Sequence, residues 1–124
     1  MIPAMTRTVL IVDDHESFRS FARALLEAEG FEVTGEAPDG ESAIEEVARL
    51  HPEVVLLDVQ LGDGIDGFEV ARRLAEQPEA PIVVLTSSRD ASDYGTKLTE
   101  SPVNGFIPKR NLSGDALGEL TTGA

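Results

Sequence analysis

The sequence contains no cysteine, so a disulfide scaffold, a thiolate metal site and a cysteine nucleophile are all excluded. Basic residues are scarce, with 10 against 23 acidic ones, and the formal net charge is −13. Because nucleic-acid phosphates require a basic surface, direct contact with nucleic acid is disfavoured, whereas a metal cation or a basic partner surface suits this charge.

No apolar run reaches the roughly 18 residues needed to span a bilayer, and Met1–Thr6 lacks the pattern of a secretion signal. We therefore expect a cytoplasmic protein without membrane contact.

The chain of 124 residues has the length of one domain, which we take as residues 1–124. Its residues are 41% hydrophobic and 27% charged, enough to bury a core while keeping a polar surface. We find no internal repeat, linker or low-complexity stretch.

Short apolar runs alternate along the chain with amphipathic segments. The predicted strands are Thr8–Val12, Glu32–Gly35, Val54–Leu57, Pro81–Leu85 and Val103–Ile107. The predicted helices are Glu16–Glu29, Asp39–Leu50, Phe68–Glu76, a short one around Asp90–Leu98, and a last short one capped by Ser113. This alternation predicts an α/β fold with a doubly wound, five-stranded parallel sheet and helices on both faces.

Polar side chains follow four of the predicted strands. They are Asp13 and Asp14, Asp58, Thr86 and Ser87, and Lys109. Ligands of such sheets bind beyond the carboxyl ends of the strands, so we expect these residues to share one pocket. Two like charges about 4 Å apart repel by roughly 4 kcal/mol at an effective dielectric constant near 20, and one lysine cannot offset three carboxylates. Mg²⁺, which prefers oxygen ligands, is the expected cofactor, and Mn²⁺ should substitute for it.

Beside such a metal, Asp58 would be a nucleophile toward phosphorus, since aspartyl phosphates are known covalent intermediates. The phosphoryl oxygens could be held by the metal, by Lys109, and by the Thr86 hydroxyl together with backbone N–H groups.

Five motifs between about Thr8 and Leu120 resemble the receiver domain of two-component response regulators. They read LIVDDH, VVLLDV, DGFEVARRL, PIVVLTSS and GFIPK. The resemblance implies a flavodoxin-like receiver fold in which a sensor histidine kinase or phosphotransfer protein phosphorylates Asp58. It also implies further partners: an output domain or effector protein, and a second copy bound through the face of the fourth helix, fifth strand and fifth helix.

The resemblance also implies a role for each site residue. The implied catalytic residues are Asp58, Thr86 and Lys109. The implied metal ligands are Asp13, Asp14, Asp58 and the backbone carbonyl of Gln60; the phosphate contacts are Thr86, Ser87 and Lys109; and the switch residues are Thr86 and Phe106.

The sequence departs from the family pattern in three places. The loop QLGDGID has Gly62 where the family often has proline, and an extra residue before Gly67. Pro108 precedes Lys109, where the family commonly has a proline after the lysine, so we expect no cis peptide, which would cost about 3–4 kcal/mol here. The polar segment Thr99–Asn104 predicts a short fourth helix with mobile surroundings.

Simpler interpretations exist for each motif. Asp13-Asp14 alone would suit a helix cap, and Thr86-Ser87 could cap the following helix. Phe106 could be a core aromatic rather than a switch, and His15 is better explained as a solvated residue of the first helical turn than as a general base.

The alternative function is an interaction module that acts without phosphorylation. The GFIPK and SGDALGEL segments resemble those of receivers that precede helix-turn-helix output domains. A flavodoxin-like flavin protein is disfavoured, because it would have a phosphate-binding loop rich in Ser, Thr and Gly after the first strand, where this chain has Asp13-Asp14-His15. A phosphatase of the haloacid dehalogenase type is disfavoured, because it would have a second acid two residues after its nucleophile, where this chain has Gln60.

Overall fold

The computed structural model describes residues 7–121, so the interpretation of Met1–Thr6 lies outside it. A parallel sheet of five strands has the order β2-β1-β3-β4-β5. The strands are β1 (Thr8–Val12), β2 (Glu32–Ala37), β3 (Val54–Asp58), β4 (Ile82–Ser87) and β5 (Gly105–Pro108). The predicted fold class is confirmed.

Helices cover both faces of the sheet. They are α1 (Glu16–Ala28), α2 (Gly40–Leu50), α3 (Gly67–Ala75), α4 (Thr96–Thr99) and α5 (Gly114–Thr121). Side chains alternate along a strand, so in β1 Leu10 and Val12 pack in one apolar cluster with α2 and α3, while Val9 and Ile11 pack in a second cluster with α1 and α5. Burial on both faces explains why β1, β3 and β4 are mainly apolar runs, whereas the edge strands β2 and β5 are only partly buried. No helix within residues 7–121 is long and apolar enough to cross a membrane.

Four strands end later in the structure than the sequence predicts. β2 continues to Ala37, β3 includes Asp58, β4 continues to Ser87, and β5 continues to Pro108. The ladder extends because Asp58 lies opposite Thr86 in the β3–β4 register. These polar residues therefore occupy the last positions of rigid strands and not the loops that follow.

The fifth strand starts later than predicted, at Gly105 instead of Val103. Asn104 bonds to Val83 through both its backbone N–H (2.7 Å) and its side-chain oxygen (3.0 Å), which ends the irregular segment before the ladder begins.

The predicted helix Asp90–Leu98 is interrupted. A 3₁₀ turn, Ala91–Asp93, is separated from the four-residue helix α4 by Gly95, whose φ of 56° is a conformation that favours glycine. The prediction of a short fourth helix is confirmed. No peptide bond within residues 7–121 is cis, as expected for Lys109–Arg110.

Candidate functional site

The carboxyl ends of the strands bring the predicted acids together. Asp13 directly follows β1 and is 0% exposed, while Asp58 ends the neighbouring strand β3 and is 3% exposed. Asp14 lies beside them and is partly exposed. Because adjacent parallel strands end side by side, two buried carboxylates must share one small region of low solvent access.

Lys109 supplies the nearest positive charge. Its Nζ lies 2.6 Å from Asp13 Oδ2 and 3.3 Å from Asp58 Oδ2, and its side chain is only 19% exposed. The ammonium also lies 4.3 Å from the centre of the Phe18 ring, a cation–π contact that covers it from α1. The lysine after β5 therefore lies beside the two buried acids and is not a solvated surface lysine.

The shared environment changes both ionisation equilibria. Burial, and next the charge of Asp13, raise the pKa of Asp58 to about 7, although Lys109 opposes them. For Lys109, burial acts to lower the pKa, but the contacts with Asp13 and Asp58 outweigh it, so that its pKa is raised. The ammonium stays charged at neutral pH, and one lysine does not fully compensate the acids.

The acids form a set of ligand atoms that fits a divalent cation. Atoms of Asp13, Asp14, His15 and Asp58 all lie within 4.8 Å of one another. Asp13 Oδ2 is buried and lacks a well-directed hydrogen bond, its close neighbour being the Lys109 ammonium. A hard cation with oxygen ligands would satisfy this oxygen and offset the excess negative charge.

His15 adds contacts that the sequence did not predict. Its ring is 68% exposed, in agreement with a solvated histidine, yet Nδ1 lies 3.2 Å from Asp13 Oδ1 and 3.0 Å from Asp14 Oδ1. His15 also occupies the N-cap position of α1, and its backbone N–H donates to Asp13 Oδ1 (2.8 Å). The acidic pair therefore does not cap the helix through its side chains.

The loop after Asp58 closes tightly against β3. Gln60 donates its backbone N–H to Asp58 Oδ1 at 3.2 Å. A Cβ atom at Gly67 would lie 2.3 Å from the backbone oxygen of Asp58, closer than any real contact. Gly62 and Gly64, with φ of 74° and 94°, allow the intervening turn. The unusual loop sequence therefore places its glycines where the backbone requires them.

The hydroxyls at the end of β4 are bonded to groups other than the Asp58 carboxylate. Thr86 Oγ1 donates to the carbonyl oxygen of Ile107 at 2.6 Å and is fully buried. Ser87 Oγ lies 2.6 Å from the Tyr94 hydroxyl and accepts the N–H of Arg89 at 3.0 Å. In this conformation the two hydroxyls hold the β4–β5 edge and the following turn.

Phe106 is half-buried beside Tyr94, with ring centres 6.1 Å apart, and Tyr94 in turn meets Phe68 at 5.6 Å. Tyr94 is not among the predicted site residues, because it lies on a turn that no sequence motif marks. Its hydroxyl contact nevertheless joins the aromatic cluster to Ser87 and so to the end of β4.

Comparison with known proteins identifies the family. Residues 9–119 match the model of the response regulator receiver domain. The chain belongs to this family, whose members interact with histidine kinases and output domains and generally bind Mg²⁺ at an acidic pocket.

Individual relatives agree with this assignment. The chain is 34% identical over 128 residues to the transcriptional regulatory protein PdtaR of Mycobacterium tuberculosis, covering 95% of this chain and 62% of the relative. It is 37% identical over 103 residues to the response regulator GacA of Pseudomonas aeruginosa, covering 82% and 47%. The chain thus spans less than two thirds of the length of these curated relatives.

Among solved structures, a signal receiver domain from M. tuberculosis superposes with a TM-score of 0.85 at 29% identity, covering 96% of this chain and 98% of that one. The response regulator domain of Thermotoga maritima CheB superposes with a TM-score of 0.79 at 20% identity, covering 93% of each chain, which supports the fold alone.

Proposed function

We propose that this receiver domain, taken as residues 1–124, accepts a phosphoryl group on Asp58 and uses it as a reversible signal. The observation that carries the proposal is the buried Asp58 carboxylate, held at a strand end within 3.3 Å of the Lys109 ammonium and beside Asp13. A nucleophile fixed at the end of β3 and a cation fixed directly after β5 give the preorganised geometry that phosphoryl transfer requires.

In the proposed step, an Asp58 carboxylate oxygen attacks the phosphorus of a kinase phosphohistidine. An oxygen–phosphorus bond forms, the nitrogen–phosphorus bond breaks, and its electron pair returns to the imidazole of the kinase. Lys109 is placed to bind the phosphoryl oxygens as a compact charge. Later attack of water on phosphorus would release phosphate and restore the carboxylate.

Asp13, Asp14 and Asp58, with the backbone carbonyl of Gln60, are the residues proposed to hold Mg²⁺ or, in its place, Mn²⁺. When bound, the ion would neutralise the charge of the carboxylates and of the incoming phosphoryl oxygens. His15, which contacts two of these acids, would have to share them with the ion.

The proposed switch uses Thr86 and Phe106. The Thr86 hydroxyl would exchange its bond with Ile107 for one with the phosphoryl group, and the ring of Phe106 would move further inward. Ser87 would donate its hydroxyl proton to the phosphoryl group, beside or in place of its present contact with Tyr94. This would alter the face formed by α4, β5 and α5, where we propose that an output domain, an effector or a second copy binds.

The proposed partners imply where the domain acts and what it controls. Transfer from a sensor histidine kinase or phosphotransfer protein would take place in the cytoplasm. Because the relatives include longer transcriptional regulators, we propose that this domain controls an output domain and leaves DNA contact to that domain.

The test is intact-mass spectrometry of the protein incubated with acetyl phosphate and Mg²⁺. We expect the wild type to gain the mass of one phosphoryl group and Asp58→Asn to gain none. Asp63→Asn, which removes an exposed carboxylate from the adjoining loop, is the matched control and should be phosphorylated normally. An unmodified wild type, or equal modification of Asp58→Asn, would contradict the proposal.

A further inference from the structure

Arg19 joins three elements next to the acidic site. It lies on α1, and its side chain is only 15% exposed. Nη1 donates to the backbone carbonyl of Asp13 at 2.7 Å, and Nε donates to Glu36 Oε1 on β2 at 3.0 Å. The guanidinium therefore links the end of β1 to α1 and β2, although the proposed function assigns it no role.

These contacts fix the peptide groups on either side of the Asp13 α-carbon. The N–H of Asp13 donates to the carbonyl of Ala37 at 3.0 Å, and its own carbonyl accepts from Arg19. The Asp13 carboxylate itself is held by the backbone N–H of His15 at Oδ1 and by the Lys109 ammonium at Oδ2. Arg19 instead helps to fix the backbone from which this carboxylate projects.

Glu36 holds Arg19 in turn. Its second carboxylate oxygen accepts from Arg23 Nε at 2.7 Å, so the carboxylate is fixed between two guanidinium groups. A planar guanidinium has its donors in a rigid arrangement, and one that bonds both Glu36 and Asp13 loses little freedom when the site is occupied.

We propose that Arg19 is a positioning residue for the acidic site, which acts by fixing the backbone of Asp13 so that the Asp13 carboxylate is held ready for Mg²⁺. The inference rests on the proposed function, because it takes Asp13 to be a ligand of the ion. Groups that contact metal ligands and hold them in position commonly affect metal affinity by tenfold or more.

Charge and geometry predict opposite effects here, which makes the inference testable. Removing a positive charge near the acids would by itself favour cation binding. Loss of the Asp13 contact would weaken it. Arg23 is the matched control, since it shares the helix, the charge and the Glu36 partner but has no contact with Asp13 among its hydrogen bonds.

The experiment measures the Mg²⁺ dissociation constant of the whole chain by isothermal titration calorimetry for wild type, Arg19→Met and Arg23→Met. Methionine keeps an apolar stem of similar length, which limits the loss of packing. We expect Arg19→Met to bind Mg²⁺ about tenfold more weakly and Arg23→Met to bind it equally well or slightly more tightly.

A second readout needs no metal. In the magnesium-free protein, we expect the amide of Asp13 to exchange with deuterium faster in Arg19→Met than in the wild type, and unchanged in Arg23→Met, as followed by NMR. Should Arg19→Met fail to fold, Arg19→Lys, which keeps the charge but cannot reproduce both hydrogen bonds of the guanidinium, replaces it in both measurements with the same expected direction.

Equal or tighter Mg²⁺ binding by the Arg19 variant, or equal weakening by Arg23→Met, would overturn the inference. Binding by the wild type separates this failure from that of the proposed function. A wild type that binds no Mg²⁺ would overturn both the proposed metal site and the role of Arg19.

Discussion

Replacing the buried carboxylate Asp58 with asparagine should stabilise the metal-free protein, and more so at alkaline than at acidic pH. Burial, and next the charge of Asp13, raise the pKa of Asp58 from 3.8 to about 7. The folded protein therefore keeps a proton on Asp58 in a pH range where the unfolded chain has released it. Stability is lost as pH rises through this range, until the folded carboxyl has also ionised. Asparagine has no charge and removes this loss.

The magnitude follows from linkage between protonation and folding. For pKa values of 3.8 and about 7, raising the pH from about 5 to about 8 would cost roughly 2.5 kcal/mol of folding free energy. Water reaches the mouth of the site and screens part of this effect, so we expect about 1–2 kcal/mol. Lys109 does not reverse this loss of stability with rising pH, because its raised pKa keeps it charged throughout the range.

The assay is urea unfolding followed by circular dichroism at several pH values in the presence of a chelator. The variant Asp63→Asn changes the net charge equally at an exposed position and should follow the wild-type curve. The difference between Asp58→Asn and the wild type should increase from acidic to alkaline pH. Parallel curves for Asp58→Asn and wild type would refute the account of the buried carboxylate.

Further predictions concern the metal, the lysine and one glycine. Mg²⁺ at about 100 times its dissociation constant should stabilise the wild type by about 2.7 kcal/mol in thermal unfolding but have little effect on Asp13→Asn; equal stabilisation would contradict the assignment of the ligand. Lys109→Ala leaves Asp13 and Asp58 without their counter-charge and should destabilise the metal-free protein by about 2–4 kcal/mol. The variant should still be phosphorylated in part by acetyl phosphate but should no longer produce any partner response. A normal partner response would exclude the lysine from signalling. Gly67→Ala must displace the backbone of Asp58, so it should lower the free energy of unfolding in urea by about 1–3 kcal/mol. Gly118→Ala is the control, because its Cβ would meet nothing within 4 Å, and it should be neutral or slightly stabilising. Equal effects of the two substitutions would contradict the close approach of Gly67 to the Asp58 backbone.

The fold could be predicted because the three central strands carry clear apolar patterns. Val54–Leu57 is apolar without interruption, and a run of this kind, repeated between amphipathic helices, fits a sheet that is covered on both faces. The convergence of Asp13, Asp58 and Lys109 followed from the same pattern, because parallel strands end at one edge. The structure confirms that these side chains meet.

The ends of elements were less predictable. Asp58 and Thr86 are polar and looked like loop residues, but pairing with each other keeps them in the strands. The predicted fourth helix is interrupted at Gly95, whose φ is positive, and a count of apolar residues does not detect this. Local patterns describe burial, whereas these boundaries depend on hydrogen bonds between distant segments.

The partners of individual polar groups could not be predicted. Arg19 is six residues from Asp13 on the chain, and its contact with the Asp13 carbonyl depends on how α1 packs against β1. Ser87 was expected to contact phosphate, yet its hydroxyl lies against Tyr94 in this conformation. Side-chain direction at the end of a strand is set by tertiary packing, for which a single sequence carries no periodic signal.

The most direct measurement locates the phosphoryl group itself. After incubation with acetyl phosphate and Mg²⁺, borohydride reduction converts an aspartyl phosphate to homoserine, which tandem mass spectrometry can place in the sequence. The account predicts homoserine at position 58 and at no other aspartate. Homoserine at a different aspartate, or none in protein that remains folded, would contradict it.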